Sequence, residues 1–277
     1  MPSAEVNGTV LHYRATGTGM PCLVMHGWPG TDHTYLQPGL DPLGERLRLV
    51  YYDHRGHGRS DRAGVPGISM DQLADDAAAL ADHLGAERVV VLGHHHGASV
   101  AQHLAVRHPD RVAGLILVAA SPGSFGSQES LADTLGDTPT PVEVEVLQRV
   151  PPASEDELDA TMGALAPFMF HQPERHEPGP AAVFALAALH ADAAGQLMRA
   201  LDWWSSVDAL AGVAVPALVL VGRHDVFCGP HESARILRHL PGARLVVLES
   251  SGHLPWLEEP GRFFAAVDDW LDALADG

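Results

Sequence analysis

At 277 residues with 46% hydrophobic content, the chain has the length and apolar surface for one large α/β domain with an insertion, or for two small domains. A formal net charge of −18 argues against nucleic acid and anionic membranes as partners, since both repel such a surface. No apolar run nears the roughly 20 residues of a membrane span, residues 1–5 lack the basic and apolar regions of a signal peptide, and Cys22 and Cys228 alone suggest no disulfide framework, so a cytoplasmic location is expected.

Residues 6–15 read as a β-hairpin turning at Asn7-Gly8. Residues 21–25 and 47–52 are short apolar runs, hence buried strands. The first leads into His26-Gly27-Trp28-Pro29-Gly30. The second leads into a Gly-rich polar loop over 53–61, where Arg55 and Arg59 are expected to pair with nearby acids. Residues 69–84 pattern as a helix, with Leu73, Ala77, Leu80 and Leu84 on one face and Gly85 ending it. A strand over 88–92, a helical pattern over 99–108 and a continuous apolar strand over 112–119 follow. Apolar strands alternating with amphipathic helices indicate a mostly parallel sheet covered on both faces.

From 122 to 206 strand signals vanish and prolines accumulate, which suggests a helical cap inserted into a core formed by residues 1–121 and 207–277. Phe168, Trp203 and Trp204 would line a pocket under that cap or form its own small core. The strand pattern resumes at 216–221 and ends in Gly222-Arg223-His224-Asp225. A helix over 231–240, a strand over 243–248 and the turn Ser250-Ser251-Gly252-His253 come next. A helix over 261–275 closes the chain, with Phe264, Val267, Leu271 and Leu274 as its apolar stripe. Most of the 18 histidines are scattered singly, as at His12, His83, His103 and His239, and read as surface or internally satisfied residues.

The chain is organised around Gly93-His94-His95-His96-Gly97. Strand, tight Gly-flanked turn and helix are the context of the nucleophile elbow, G-x-S-x-G, whose middle residue is lifted above the sheet on a strained turn. Here His95 stands where Ser, Cys or Asp is expected. Ser99, one helical turn on, and Ser121, one strand over, are no ready substitutes. Ligands of open parallel sheets bind beyond the carboxyl ends of the strands. Four such ends carry candidate groups: His26-Gly27-Trp28, His95, Asp225 and His253.

Over nearly its whole length the sequence resembles the α/β-hydrolase superfamily, which uses the chain order nucleophile, acid, histidine. Residues 251–260, Ser-Gly-His-Leu-Pro-Trp-Leu-Glu-Glu-Pro, resemble its proline-iminopeptidase-like and epoxide-hydrolase-like branches. His26-Gly27-Trp28-Pro29 is similar to the oxyanion loop of epoxide hydrolases and haloalkane dehalogenases. The resemblance implies an eight-stranded, mostly parallel sheet with helices on both faces. It implies catalytic roles for His95, Asp225 and His253, an oxyanion hole made by the N–H groups of Trp28 and His96, and a substrate pocket including His26, Trp28, Phe168, Trp203 and Trp204. Asp225 would hold His253 in one tautomer and stabilise its imidazolium.

The leading expectation is ester or amide hydrolysis of a small, apolar, carbonyl-containing substrate, with His95 either an unusual nucleophile or a replacement for serine. Two alternatives stay open: non-hydrolytic base catalysis by His95 and His253, and a silent binding module. Three consecutive histidines suggest a metal site, but neighbours on a tight turn point different ways, and no metal is expected. No organic cofactor is implied, because the glycines at 56–58 lack the G-x-G-x-x-G spacing. An acidic cap entrance would disfavour anionic substrates, and a monomer or homodimer is expected.

Overall fold

Asn7 and Gly8 both take positive φ, 45° and 73°, and so close a tight hairpin between β1 (Ser3–Val6) and β2 (Thr9–Thr16). In this computed structural model, which describes residues 2–62, 68–123, 152–177, 179–201, 205–240 and 242–276, that hairpin is one edge of an eight-stranded sheet. The other strands are β3 (Met20–Met25), β4 (Leu47–Tyr52), β5 (Val89–His94), β6 (Val112–Val118), β7 (Ala217–Gly222) and β8 (Ala243–Leu248). Their order is β1-β2-β4-β3-β5-β6-β7-β8. The pairs β1/β2 and β2/β4 are antiparallel, and all the others are parallel.

Strands β5, β6 and β7 are buried at every residue, which explains their unbroken apolar sequences. Side chains alternate between two cores. Val89, Val91, Leu115, Leu117 and Val219 meet α2 (Met70–His83), α3 (His96–Arg107) and α8 (Pro230–His239), the last through Ile236. Val90, Leu92, Ile116, Val118 and Leu220 face α1 (Gln37–Leu40), α9 (Pro255–Glu258) and α10 (Pro260–Asp276). Ser69 caps α2 by accepting from the Gln72 N–H, and Gly85, at φ 70°, follows its end.

Two helices differ from expectation. Helix α3 begins at His96, three residues before the periodicity suggests, because Gly97 and Ala98 carry no apolar signal yet pack against the sheet. Helix α10 buries Phe263, Ala266, Val267, Trp270 and Leu271, whereas Phe264 and Leu274 are only partly buried. Trp270 sets this rotation: it lies over Gly114 of β6, where a Cβ would come within 2.7 Å of the indole.

Between β6 and β7 the described residues form helices α4 (Glu155–Leu165), α5 (Pro180–Phe184), α6 (Ala191–Leu201) and α7 (Val207–Leu210). Leu158, Met162, Leu165 and Phe184 join the same apolar cluster as Trp28. The His190 N–H donates to the Gly30 carbonyl at 2.7 Å, tying this segment to the loop after β3. Cys22 and Cys228 are free and buried. Among the described residues no helix is long and apolar enough to cross a membrane.

Candidate active site

His95 alone turns the chain from β5 into α3. It has φ 54° and ψ −121°, a region that L residues rarely occupy, and its N–H donates to the Val118 carbonyl at 3.0 Å. The flanking glycines make the turn possible. A Cβ at Gly93 would lie 2.5 Å from the Gly97 carbonyl oxygen, and one at Gly97 would run into the carbonyls of Met25 and His26.

The three consecutive histidines diverge. His94 is fully buried, and its bonding is directional. His94 Nε2 faces the His253 carbonyl at 3.1 Å, which can only accept, so Nε2 carries the proton of the neutral ring. Nδ1 therefore accepts from the Tyr35 hydroxyl at 2.7 Å, and that hydroxyl in turn accepts the Gly27 N–H at 2.8 Å. His95 stacks on Trp28 with ring centroids 4.3 Å apart. Its Nδ1 lies 3.3 Å from the Trp28 N–H, which can only donate, so Nδ1 carries the lone pair and Nε2 the proton. His96 points to the opposite side and joins His26, His54 and His57, at centroid distances of 5.9, 5.3 and 6.4 Å.

Asp225 and His253 are both fully buried. His253 Nδ1 lies 2.9 Å from each carboxylate oxygen of Asp225. Asp225 Oδ1 also accepts from the N–H groups of Phe227 and Cys228, at 2.8 and 3.0 Å, which fixes the carboxylate. With Nδ1–H committed to Asp225, the lone pair of His253 sits on Nε2, and that atom has no hydrogen-bond partner among the described residues. The His253 ring stands nearly perpendicular to His95, at 82°, with centroids 4.9 Å apart. Burial, and then repulsion from His253 and His94, holds the His95 imidazole well below its ordinary pKa, so it is neutral at neutral pH.

Trp28 and His95 form one end of an apolar cavity of about 80 Å³ whose other walls include Leu158, Met162, Leu165 and Met198. Among the described residues that line it, Thr161 carries the one hydroxyl, and none carries a carboxylate or an amine. The His96 N–H opens α3, where the first-turn donors have no intrahelical acceptor.

Of the expected pocket residues, Trp28 lines the cavity. His26 does not: it is fully buried behind the elbow, donating from Nδ1 to the Gly27 carbonyl at 3.1 Å and accepting the His54 N–H at Nε2, also at 3.1 Å. Phe168 is half-buried and packs against the apolar cluster outside the cavity lining. Trp203 and Trp204 lie outside the described residues. Arg55 pairs with Asp76 at 2.7 Å, whereas Arg59 serves through its backbone N–H, which donates to Asp53 Oδ2 at 2.9 Å.

Neither the Tyr35–His94 link nor the cluster of His26, His54, His57 and His96 is foreseen from the sequence. These residues meet because β3 lies between β4 and β5, with Met25 level with both Tyr52 and Gly93. Among the described residues no three metal-ligating side chains are arranged to hold an ion.

A family model described as alpha/beta hydrolase fold matches residues 21–260. A non-heme haloperoxidase from Rhodococcus erythropolis is 37% identical over 139 residues, a match that spans 50% of this chain and 48% of that protein. Two solved structures align over both chains nearly end to end. The enol-lactonase from Burkholderia xenovorans LB400 is 29% identical, with 98% of this chain and 100% of its own covered at a TM-score of 0.78. An esterase from Thermogutta terrifontis is 28% identical, with 99% of each chain covered at a TM-score of 0.78.

Proposed function

The chain belongs to the α/β-hydrolase fold family, and on that basis we propose that it hydrolyses small apolar esters, with His95 Nδ1 as nucleophile and the Asp225–His253 pair as base. The observation that carries this reading is the 3.3 Å approach of the Trp28 N–H to His95 Nδ1. It places a lone pair beside a fixed donor. A carbonyl entering from the apolar cavity meets both at once: Nδ1 attacks the carbon, and the N–H turns to the oxygen.

The attack forms a C–N bond while the carbonyl π pair moves onto oxygen. The N–H groups of Trp28 and His96 stabilise that oxyanion, each donor contributing about 3 kcal/mol. Collapse expels the alkoxide, which receives the His95 Nε2 proton by way of His253. The resulting acyl-imidazole is neutral and reactive. His253 Nε2 then takes a proton from water, the hydroxyl adds to the acyl carbon, and the C–N bond breaks. The proton returns to His95 Nε2 as the acid leaves.

The lowered pKa of His95 favours this chemistry over proton abstraction from carbon, because it weakens the ring as a base while keeping Nδ1 unprotonated at neutral pH. The names of the two structural neighbours, an enol-lactonase and an esterase, support an ester substrate. We read residues 122–206 as a cap, whose Leu158, Met162 and Leu165 roof the acyl site.

Steady-state hydrolysis of p-nitrophenyl acetate tests the reading. His95→Ala should fall to the background rate. His253→Ala should still release one equivalent of p-nitrophenol but lose about 10²–10⁴ in turnover. Equal rates for the parent and His95→Ala would overturn it.

A further inference from the structure

We infer that Glu258 is a positioning residue for His253, clamping the loop that carries the base to the backbone of residues 169–171 in the helical segment. The inference rests on the assignment of His253 as the base. Glu258 ends α9, and its side chain has 0% exposure. Oε1 accepts the His171 N–H at 2.6 Å, and Oε2 accepts the Gly252 N–H at 2.6 Å. A third bond completes the seam: the His253 N–H donates to the Met169 carbonyl at 2.8 Å. The two backbones touch. A Cβ on Gly252 would lie 2.9 Å from the Met169 oxygen and 3.0 Å from the His171 nitrogen. On the far side of the loop, a Cβ on Gly222 would collide with the carbonyls of Ser251 and Gly252. The residue before the base is therefore held from two sides, and among the described residues Glu258 is the one carboxylate bridging the loop to the helical segment that roofs the cavity.

A buried carboxylate is costly when no guanidinium or ammonium faces it. Among the described residues, the titratable groups around Glu258 are the His176 ring, with Nε2 at 3.9 Å, and the like-charged Asp225 and Glu259. His171, which meets Glu258 through its backbone, stacks its ring on His224 at 3.5 Å. Burial pushes the Glu258 pKa up to about 7, with Asp225 and Glu259 adding to the rise. Protonation turns one acceptor oxygen into an O–H, a much weaker acceptor for the N–H it faces, so the clamp loosens on that side. Turnover should therefore rise with pH as Glu258 ionises near neutrality.

Glu258→Gln tests this, because it keeps the shape and one acceptor while setting an NH₂ against a backbone N–H. On p-nitrophenyl acetate, whose leaving group needs no proton, the burst should persist. Deacylation should slow about ten-fold, lowering kcat and KM together and leaving kcat/KM unchanged. The limb of the kcat–pH profile near 7 should disappear. The low-field proton resonance of His253 Nδ1–H should also shift, a readout independent of activity. Parental kcat and pH limb in a variant that bursts would overturn the inference. If the parent shows no burst, the ester reading fails, and the resonance alone decides: an unshifted signal overturns the clamp and a shifted one supports it. Should Glu258→Gln not fold, Glu258→Asp, too short to span both donors, should show an intermediate kcat with the pH limb retained; parental kcat there would overturn the clamp equally.

Discussion

His95 carries a positive φ that suits glycine, and the elbow holds it there through Gly93, Gly97 and the Val118 carbonyl. Such strain costs about 1–3 kcal/mol in a residue with a Cβ. His95→Gly should therefore unfold at higher urea than His95→Ala, although both lose the ring that stacks on Trp28. Equal midpoints would mean that the turn is unstrained. The positions of His95, Asp225 and His253 are legible in the sequence because each follows an apolar strand and precedes a turn. What is not legible is which nitrogen does what. The tautomer of His95 depends on the Trp28 N–H, and that of His94 on the His253 carbonyl. Those partners come from the loop after β3 and the turn after β8, and nothing local to residues 93–97 announces them.

At the scale of elements, the elbow depends on α3 approaching the end of β3. Gly97 is the contact point. Gly97→Ala would press a methyl group into the carbonyls of Met25 and His26, two backbone groups that cannot rotate away. Overpacking of this kind costs about 1–3 kcal/mol, and the shift should also move the His96 N–H away from the proposed oxyanion position. Urea unfolding should show the loss, with activity falling further than stability; an unchanged midpoint would show that the elbow yields freely. Gly85→Ala makes a useful contrast, since nothing lies within 4 Å and only its φ of 70° opposes the change. Strands and long helices are readable because their apolar period is set by burial on known faces. The start of α3 and the rotation of α10 are not, because Gly-Ala and Phe-Phe sequences leave the contact to be decided by partners such as Gly114.

For the whole molecule, the buried histidines link stability to pH. Among the described residues His54 finds no hydrogen bond at either ring nitrogen, and burial with repulsion from His26, His96 and His57 holds it well below its ordinary pKa. His57 is held down to about 3, again first by burial. These rings are neutral in the fold but bind protons when unfolded below pH about 6.5. The stability they allow is complete above that value and is lost as pH falls towards the folded values. His54 should therefore contribute a loss of stability between pH 7 and pH 5. His54→Phe, which keeps the ring, should reduce that loss in urea unfolding at the two pH values; an equal loss would place the sensitivity elsewhere. The decisive measurement for His95 is rapid-quench mass spectrometry of the intact protein with p-nitrophenyl acetate, followed by peptide mapping. A transient acetyl adduct on His95, absent from His95→Ala and longer-lived in His253→Ala, is the predicted result. Turnover with no adduct, or an adduct carried by any other residue, would refute nucleophilic catalysis by His95.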